Sequence, residues 1–211
     1  MIKNILWDFD GVILDSMPIR DYGFRNIFEN FDDMLVNRLL EYHAQNGGLS
    51  RYVKIRYFYE KLLKQNISDD EVNILAQKFS FIMKKELTNK KYLISDSIDF
   101  IKENHKRYNF HIVSGSDEKE LKYLCKGLNI DQYFLSINGS PIHKNDLVKN
   151  ILEKNSYFQS ETILIGDSYN DYEAAEINNI CFYGYNNIDL EKYKYIYDLT
   201  ELNKILGGDY K

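Results

Sequence analysis

The sequence predicts an α/β protein: a parallel sheet with a helical lobe inserted after its first strand. Three observations carry this. Five short apolar runs lack the alternation of a half-exposed strand. Helical patterns separate the last four of them. About a hundred residues lie between the first two, far more than a crossover needs.

The runs are 5–9, 110–113, 133–137, 162–165 and 180–183. Their apolar, β-rich composition suits strands covered on both faces. Helices are predicted at 117–128, 145–155 and 169–178, giving right-handed βαβ units. The 117–128 pattern has acidic residues early, Lys126 late and Gly127 near its end. Residues 18–88 read as wholly helical. Ile27, Phe28 and Phe31 suit one apolar face; Leu35, Leu39, Leu40 and His43 a second. Val53, Ile55, Tyr57, Phe58, Leu62 and Leu63 suit a third, and Val72, Leu75, Phe79, Ile82 and Met83 a fourth. Gly47-Gly48 breaks the middle. Four such helices can bury one another as a small bundle. The expected organisation is a core of residues 1–16 and 89–211 and a helical cap of residues 17–88. The return linker falls near 88–92, followed by a core helix over 95–105.

Composition narrows the function. The chain has 211 residues, 44% hydrophobic and 28% charged, an ordinary globular balance. Its net charge of −5, with scattered basic residues, disfavours sequence-independent nucleic-acid binding. Two cysteines, Cys125 and Cys181, are too few for a disulfide framework or a cysteine zinc site, and a reducing compartment is expected. The first residues lack a secretory pattern, and no run of 18 apolar residues predicts a membrane span. A cytoplasmic setting with neither membrane nor nucleic-acid partner is the expectation.

Two strand ends are acidic. Asp8-Phe9-Asp10-Gly11-Val12 places Asp8 and Asp10 on one side, with Phe9 turned into the packing. Close carboxylates repel unless a cation sits between them or one takes a proton. Taken alone, the pair is equally a polar strand end with Asp as turn former. The second cluster, Gly166-Asp167-Ser168-Tyr169-Asn170-Asp171, repeats the pattern after a buried strand. Four aspartates at two strand ends suit a hard cation with oxygen ligands, Mg²⁺ above all. The competing reading makes Asp167 an N-cap and Asp171 a solvated helix residue. Ser114-Gly115-Ser116 is expected at a helix N-terminus, where free N–H groups and the Ser114 hydroxyl would bind phosphate. Ser116 reads as an ordinary cap. Lys144 would enter the following helix from the substrate side.

These residues together resemble the haloacid dehalogenase superfamily, in its phosphatase branch with an inserted helical (C1-type) cap and a Rossmann-like core. Asp8 to Ser16 resembles the family's first motif, Ser114 the second, Lys144 the third and Gly166 to Asp171 the fourth. The resemblance spans essentially the whole chain, in order. It implies that Asp8 is the nucleophile of an aspartyl-phosphate and that Asp10 is general acid, then general base. It implies that Ser114, Gly115 and Lys144 hold phosphoryl oxygens. It implies Mg²⁺ bound by Asp8, Asp167 and the Asp10 backbone carbonyl, with Asp171 ligating or orienting that shell. Burial beside Asp8 is expected to raise the pKa of Asp10. Asp10, two residues after the nucleophile, argues against the dehalogenase branch.

The implied substrate is a small phosphomonoester: a sugar, polyol or amino-alcohol phosphate. A phosphomutase of the same branch and a phospho-accepting signalling module are the alternatives. Arg20, past the 12–17 segment, and Arg51, beside the Gly47-Gly48 break, either read the substrate or lie on a solvated cap surface. The four histidines are expected to be structural, and Tyr193–Tyr197 to pack in a C-terminal segment.

Overall fold

A computed structural model describes residues 1–207. Six parallel strands form one sheet in the order β3-β2-β1-β4-β5-β6. Strand β1 (Asn4–Trp7) is central and wholly buried, between β2 (Asn109–Asp117) and β4 (Thr162–Gly166). Beyond them lie β3 (Ser136–Ser140), β5 (Cys181–Tyr185) and the edge strand β6 (Tyr195–Ile196). Both faces are covered, as the unalternated apolar runs require. Ile5 and Trp7 point into one core with Phe110 and Ile112, beside α5 (Ser95–Asn104) and α6 (Glu118–Leu128). Leu6 and Leu164 point into the other, against α7 (Lys144–Asn155) and α8 (Tyr169–Ile177). This is the expected Rossmann-like arrangement.

Between β1 and α5 the chain forms four α-helices: α1 (Met17–Ile27), α2 (Asp33–Gln45), α3 (Arg51–Arg56) and α4 (Asp69–Glu86). A π-helical stretch, Tyr57–Leu63, continues α3. A capping box starts α4: Glu71 N–H donates to Ser68 Oγ (3.3 Å), and Ser68 N–H to Glu71 Oε2 (2.9 Å). An aromatic cluster joins these helices. Phe28 stacks on Phe58 at 4.0 Å between centroids, and Phe24 meets Phe79 at 4.6 Å. Gly23 allows the close approach of α1 and α4, since a Cβ there would lie 2.6 Å from the Met83 methyl. A short C-terminal helix, α9 (Leu202–Ile205), follows the sheet.

Several expected boundaries move. Strand β1 stops at Trp7, because the chain from Phe9 to Leu14 folds into a turn in which Ile13 and Leu14 N–H donate to Phe9 O. Strand β3 starts at Ser136; the Tyr133 expected in it lies in a 3-10 turn. Strand β5 is displaced toward its C-terminal side. Strand β2 runs through Ser114 to Asp117 with a register shift after Val113. Helix α6 begins only at Glu118, with Asp117 as N-cap accepting from Glu120 N–H at 3.0 Å. Ser114 therefore lies within the strand, four residues before the helix, rather than at the helix N-terminus itself.

Phe58 is fully buried and contacts both Phe28 and Phe31. Phe58→Ala is expected to cost about 3–4 kcal/mol in urea unfolding. A loss below about 1 kcal/mol would show that this cluster can collapse around the deletion.

Candidate active site

The site forms where β1, β2 and β4 end and α7 and α8 begin, at the carboxyl edge where open α/β sheets receive ligands. Asp8 follows β1 directly; its N–H donates to Ile165 O at 2.9 Å, so β4 fixes its backbone. Gly11 adopts φ +74°, and a Cβ there would collide with the Asp167 carboxylate. Two asparagines after β5 brace these turns. Asn186 Nδ2 donates to Gly11 O (2.9 Å) and Asn187 Nδ2 to Asp167 O (2.7 Å).

Asp8, Asp167 and Asp171 each present one carboxylate oxygen, all within 4.8 Å of one another. Lys144, the first residue of α7, places Nζ 3.0 Å from Asp8 Oδ1 and also pairs with Asp171 Oδ1. The other oxygen of Asp171 accepts from Ser168 N–H (3.1 Å) and Oγ (2.5 Å). Burial and the Asp171 charge push Asp8 up to about 7, although Lys144 opposes the shift. Burial, Asp8 and Asp171 likewise raise Asp167 well above the carboxylate range. Burial alone would lower Lys144, but Asp171 and Asp8 raise it, so it is a firm cation. One ammonium facing three carboxylates leaves excess negative charge. Hard oxygen donors with that excess fit a divalent cation such as Mg²⁺.

Asp10 points elsewhere. Its Oδ1 accepts from Arg20 Nε (2.6 Å) and from Ser16 Oγ; its Oδ2 accepts from Ser116 Oγ (2.6 Å). Burial raises its pKa, but Arg20 and the two hydroxyls outweigh burial and carry it below the usual value. The expected upward shift is thus reversed, because an arginine and not Asp8 dominates its surroundings. Its side chain is likewise absent from the carboxylate trio that could hold a metal.

The expected phosphate residues border the same space. A narrow cleft with a cavity volume of about 10 Å³ is lined by Asp8, Asp10, Ser114, Gly115 and Asp167, with Met17 and Gly47 from the helical insert. A Cβ at Gly115 would strike the Gly48 carbonyl, so that glycine admits the insert's loop onto the sheet edge. Arg20 and Arg51 are both buried at the site; neither is on a solvated surface.

Glu120 and Lys54 carry no signal in the sequence pattern; His43 is the buried structural histidine expected, whereas Ser116, expected as an ordinary cap, donates to Asp10 and leaves the cap to Asp117. Alternation along β2 places Ser116 beside Ser114 and offered a signal for it. Arg51, Lys54, Ile55 and Phe58 share i, i+3, i+4, i+7 spacing, and all four are buried. Reading only apolar positions hid Lys54 on that face. Glu120 looked like ordinary first-turn acid. Burial lowers His43 to about 2 and His111 to about 4, so both are neutral.

Sheet and cleft define a parallel α/β protein with a cation-competent carboxylate cluster at its strand ends. The sequence pattern of haloacid dehalogenase-like hydrolases matches residues 5–185, and the chain belongs to that family. No curated protein sequence matches it. Among solved structures, a CbbY variant from Rhodobacter sphaeroides in complex with xylulose-(1,5)bisphosphate superposes with TM-score 0.80 at 14% identity, covering 100% of both chains. A beta-phosphoglucomutase from Clostridium difficile gives 0.79 at 15%, covering 99% of this chain and 97% of that one. A protein described as a predicted phosphoglycolate phosphatase from Haemophilus somnus 129PT gives 0.77 at 18%, covering 97% and 98%. At these identities the likeness establishes the fold. Among the described residues no helix is long and apolar enough to cross a membrane.

The raised pKa of Asp8 carries a stability prediction. Its ionisation costs nothing below about pH 4, grows through pH 4–7 and is complete above the folded pKa. In chelator, Asp8→Asn is expected to gain on the order of 2–4 kcal/mol at pH 8 and little near pH 4. Urea unfolding at both pH values checks this; a loss of stability at pH 8 would mean that the Lys144 pairing outweighs the repulsion.

Proposed function

We propose that the protein is a Mg²⁺-dependent phosphatase of small phosphomonoesters, working through a phosphorylated Asp8. The observation that carries this reading is the convergence of Asp8, Asp167, Asp171 and Lys144 at the carboxyl edge of the sheet, beneath a helical insert. Asp8, Asp167 and Asp171 would hold the cation. When bound, it would supply positive charge to the phosphoryl oxygens and keep the carboxylates ionised.

The chain's own groups divide the remaining work. Asp8 attacks phosphorus as the ester P–O bond breaks, and the departing oxygen takes its proton from Asp10. Asp10 then takes a proton from the water that attacks phosphorus, which frees Asp8 and releases phosphate. Lys144, with Ser114 and the Gly115 backbone, meets the charge spread over the phosphoryl oxygens. Asp10 held by Arg20 is a poor proton donor, so the donating state requires Arg20 to leave it. The insert over the cleft excludes bulk water and large substrates.

A panel of phosphorylated small molecules, assayed for released phosphate with Mg²⁺ and with chelator, tests the reading. Turnover is expected only with the metal. Asp8→Ala and Asp10→Ala are expected to lose at least about 10³-fold, and Lys144→Ala at least about 10²-fold. Full activity in Asp8→Ala would remove the covalent route. The fold shared with a phosphomutase makes transfer within the substrate the second reading. Phosphate released per ester consumed separates the two: near one for hydrolysis, near zero for a mutase.

A further inference from the structure

Lys54 is an amine buried without an acidic partner. It sits on α3 and is 2% exposed. Its Nζ donates to His43 Nδ1 at 2.8 Å and to Gly47 O at 3.3 Å, and both acceptors are uncharged. An ammonium has three N–H groups, so one is left without a partner among the described residues. The charged groups around it are Arg20 on α1, Arg51 on α3, Asp10 after β1 and Asp167 after β4. Asp21, half exposed, lies 3.9 Å from the far nitrogen of His43. Burial and the two arginines lower the proton affinity of Lys54 more than Asp10 and Asp167 raise it, to about 7. Lys144, equally buried, is driven the other way by the carboxylates it touches.

Lys54 and Asp10 line one cavity of about 20 Å³, together with Arg20, Arg51 and Ser116. That is room for about one water molecule. Arg20 Nη2 and Arg51 Nη2 are buried with no hydrogen-bond partner among the described residues. Unmet buried donors are costly, and a water oxygen that accepts from them removes that cost. A water accepting from Lys54 and a guanidinium turns its own hydrogens away from the cations, toward Asp10, beside which the leaving oxygen would stand. Of the three cations on this cavity only Lys54 can part with a proton, because a guanidinium stays protonated.

We infer that Lys54 is a proton donor to the leaving group, acting through one water between its amine and the leaving oxygen. As the ester P–O bond breaks, Lys54 passes a proton to the water. The water passes one of its own to the departing oxygen, and Lys54 is left neutral. The inference rests on the phosphatase reading and gives it a proton source that does not wait for Arg20 to release Asp10. An Asp10 held ionised by Arg20 is already in the state that takes a proton from the attacking water.

Two esters separate proton donation from charge. The alkoxide of 2-hydroxyethyl phosphate must be protonated as it leaves; the phenolate of 4-nitrophenyl phosphate leaves unaided. With Mg²⁺, the ratio of kcat for the alkyl ester to kcat for the aryl ester is expected to fall at least about tenfold in Lys54→Met. Lys54→Arg keeps the charge but cannot release a proton, so the ratio should fall as far. The alkaline limb expected near pH 7 in wild-type kcat for the alkyl ester should vanish in both variants. Circular dichroism confirms that both fold. NMR of protein carrying lysine labelled with ¹³C at Cε, without substrate or metal, reads the amine directly. The Lys54 signal, assigned by its loss in Lys54→Arg, is expected to titrate near pH 7. Titration in the ordinary lysine range, recovery of the ratio in Lys54→Arg, or equal losses on both esters would overturn the inference and leave the phosphatase reading in place. Release of phosphate from neither ester by the wild type would sink the phosphatase reading, and the donor role with it.

Discussion

The site depends on a crowding of negative charge that the protein does not itself neutralise. Asp8, Asp167 and Asp171 meet within 4.8 Å, and Lys144 is the cation in direct contact with them. In water such a cluster would be unremarkable. Buried, it pushes Asp8 and Asp167 toward their protonated forms. A group that adds positive charge restores the ionised state, whether a metal ion or the electron-poor phosphorus of an ester. The folded chain is therefore strained in the sense that matters for binding: stability is surrendered at the place where a ligand can return it.

The sheet supplies the means of forcing these charges together. Adjacent parallel strands end level, so β1 and β4 bring Asp8 and Asp167 to one edge although they are far apart in sequence. Gly11 then removes a Cβ that would strike Asp167, while Asn186 and Asn187 tie both turns from outside. Lys144 owes its position to being the first residue of α7, which points its amine across to the ends of β1 and α8. All of these groups come from the sheet and the elements that follow its strands. The insert's contribution lies on the other side of Asp10.

That division matches what could be read from the sequence. The unalternated apolar strands, the crossover helices and the long helical interruption are short-range patterns, and they translate directly into the observed topology. Asp8, Asp167 and Asp171 were legible because each closes or follows a strand end. Boundaries such as the extension of β2 through Ser114 were not, because pairing with β3 after the register shift depends on a distant segment. The surroundings of Asp10 were hidden for a different reason. Its proton affinity is set by Arg20, Ser16 and Ser116, and a spacing rule that sees Asp8 two residues away predicts the wrong sign.

The arginine–glutamate–arginine arrangement above Asp10 is the part of the molecule hardest to explain by stability. Burying three charged groups costs several kcal/mol in desolvation, and apolar replacements of similar volume are often as stable. Leu or Met at these positions would extend the Phe24–Phe79 cluster that already flanks them. What apolar side chains cannot do is hold two guanidinium edges in fixed directions inside a cavity. Glu120 belongs to the sheet side and both arginines to the insert, so the same ion pairs also register one against the other.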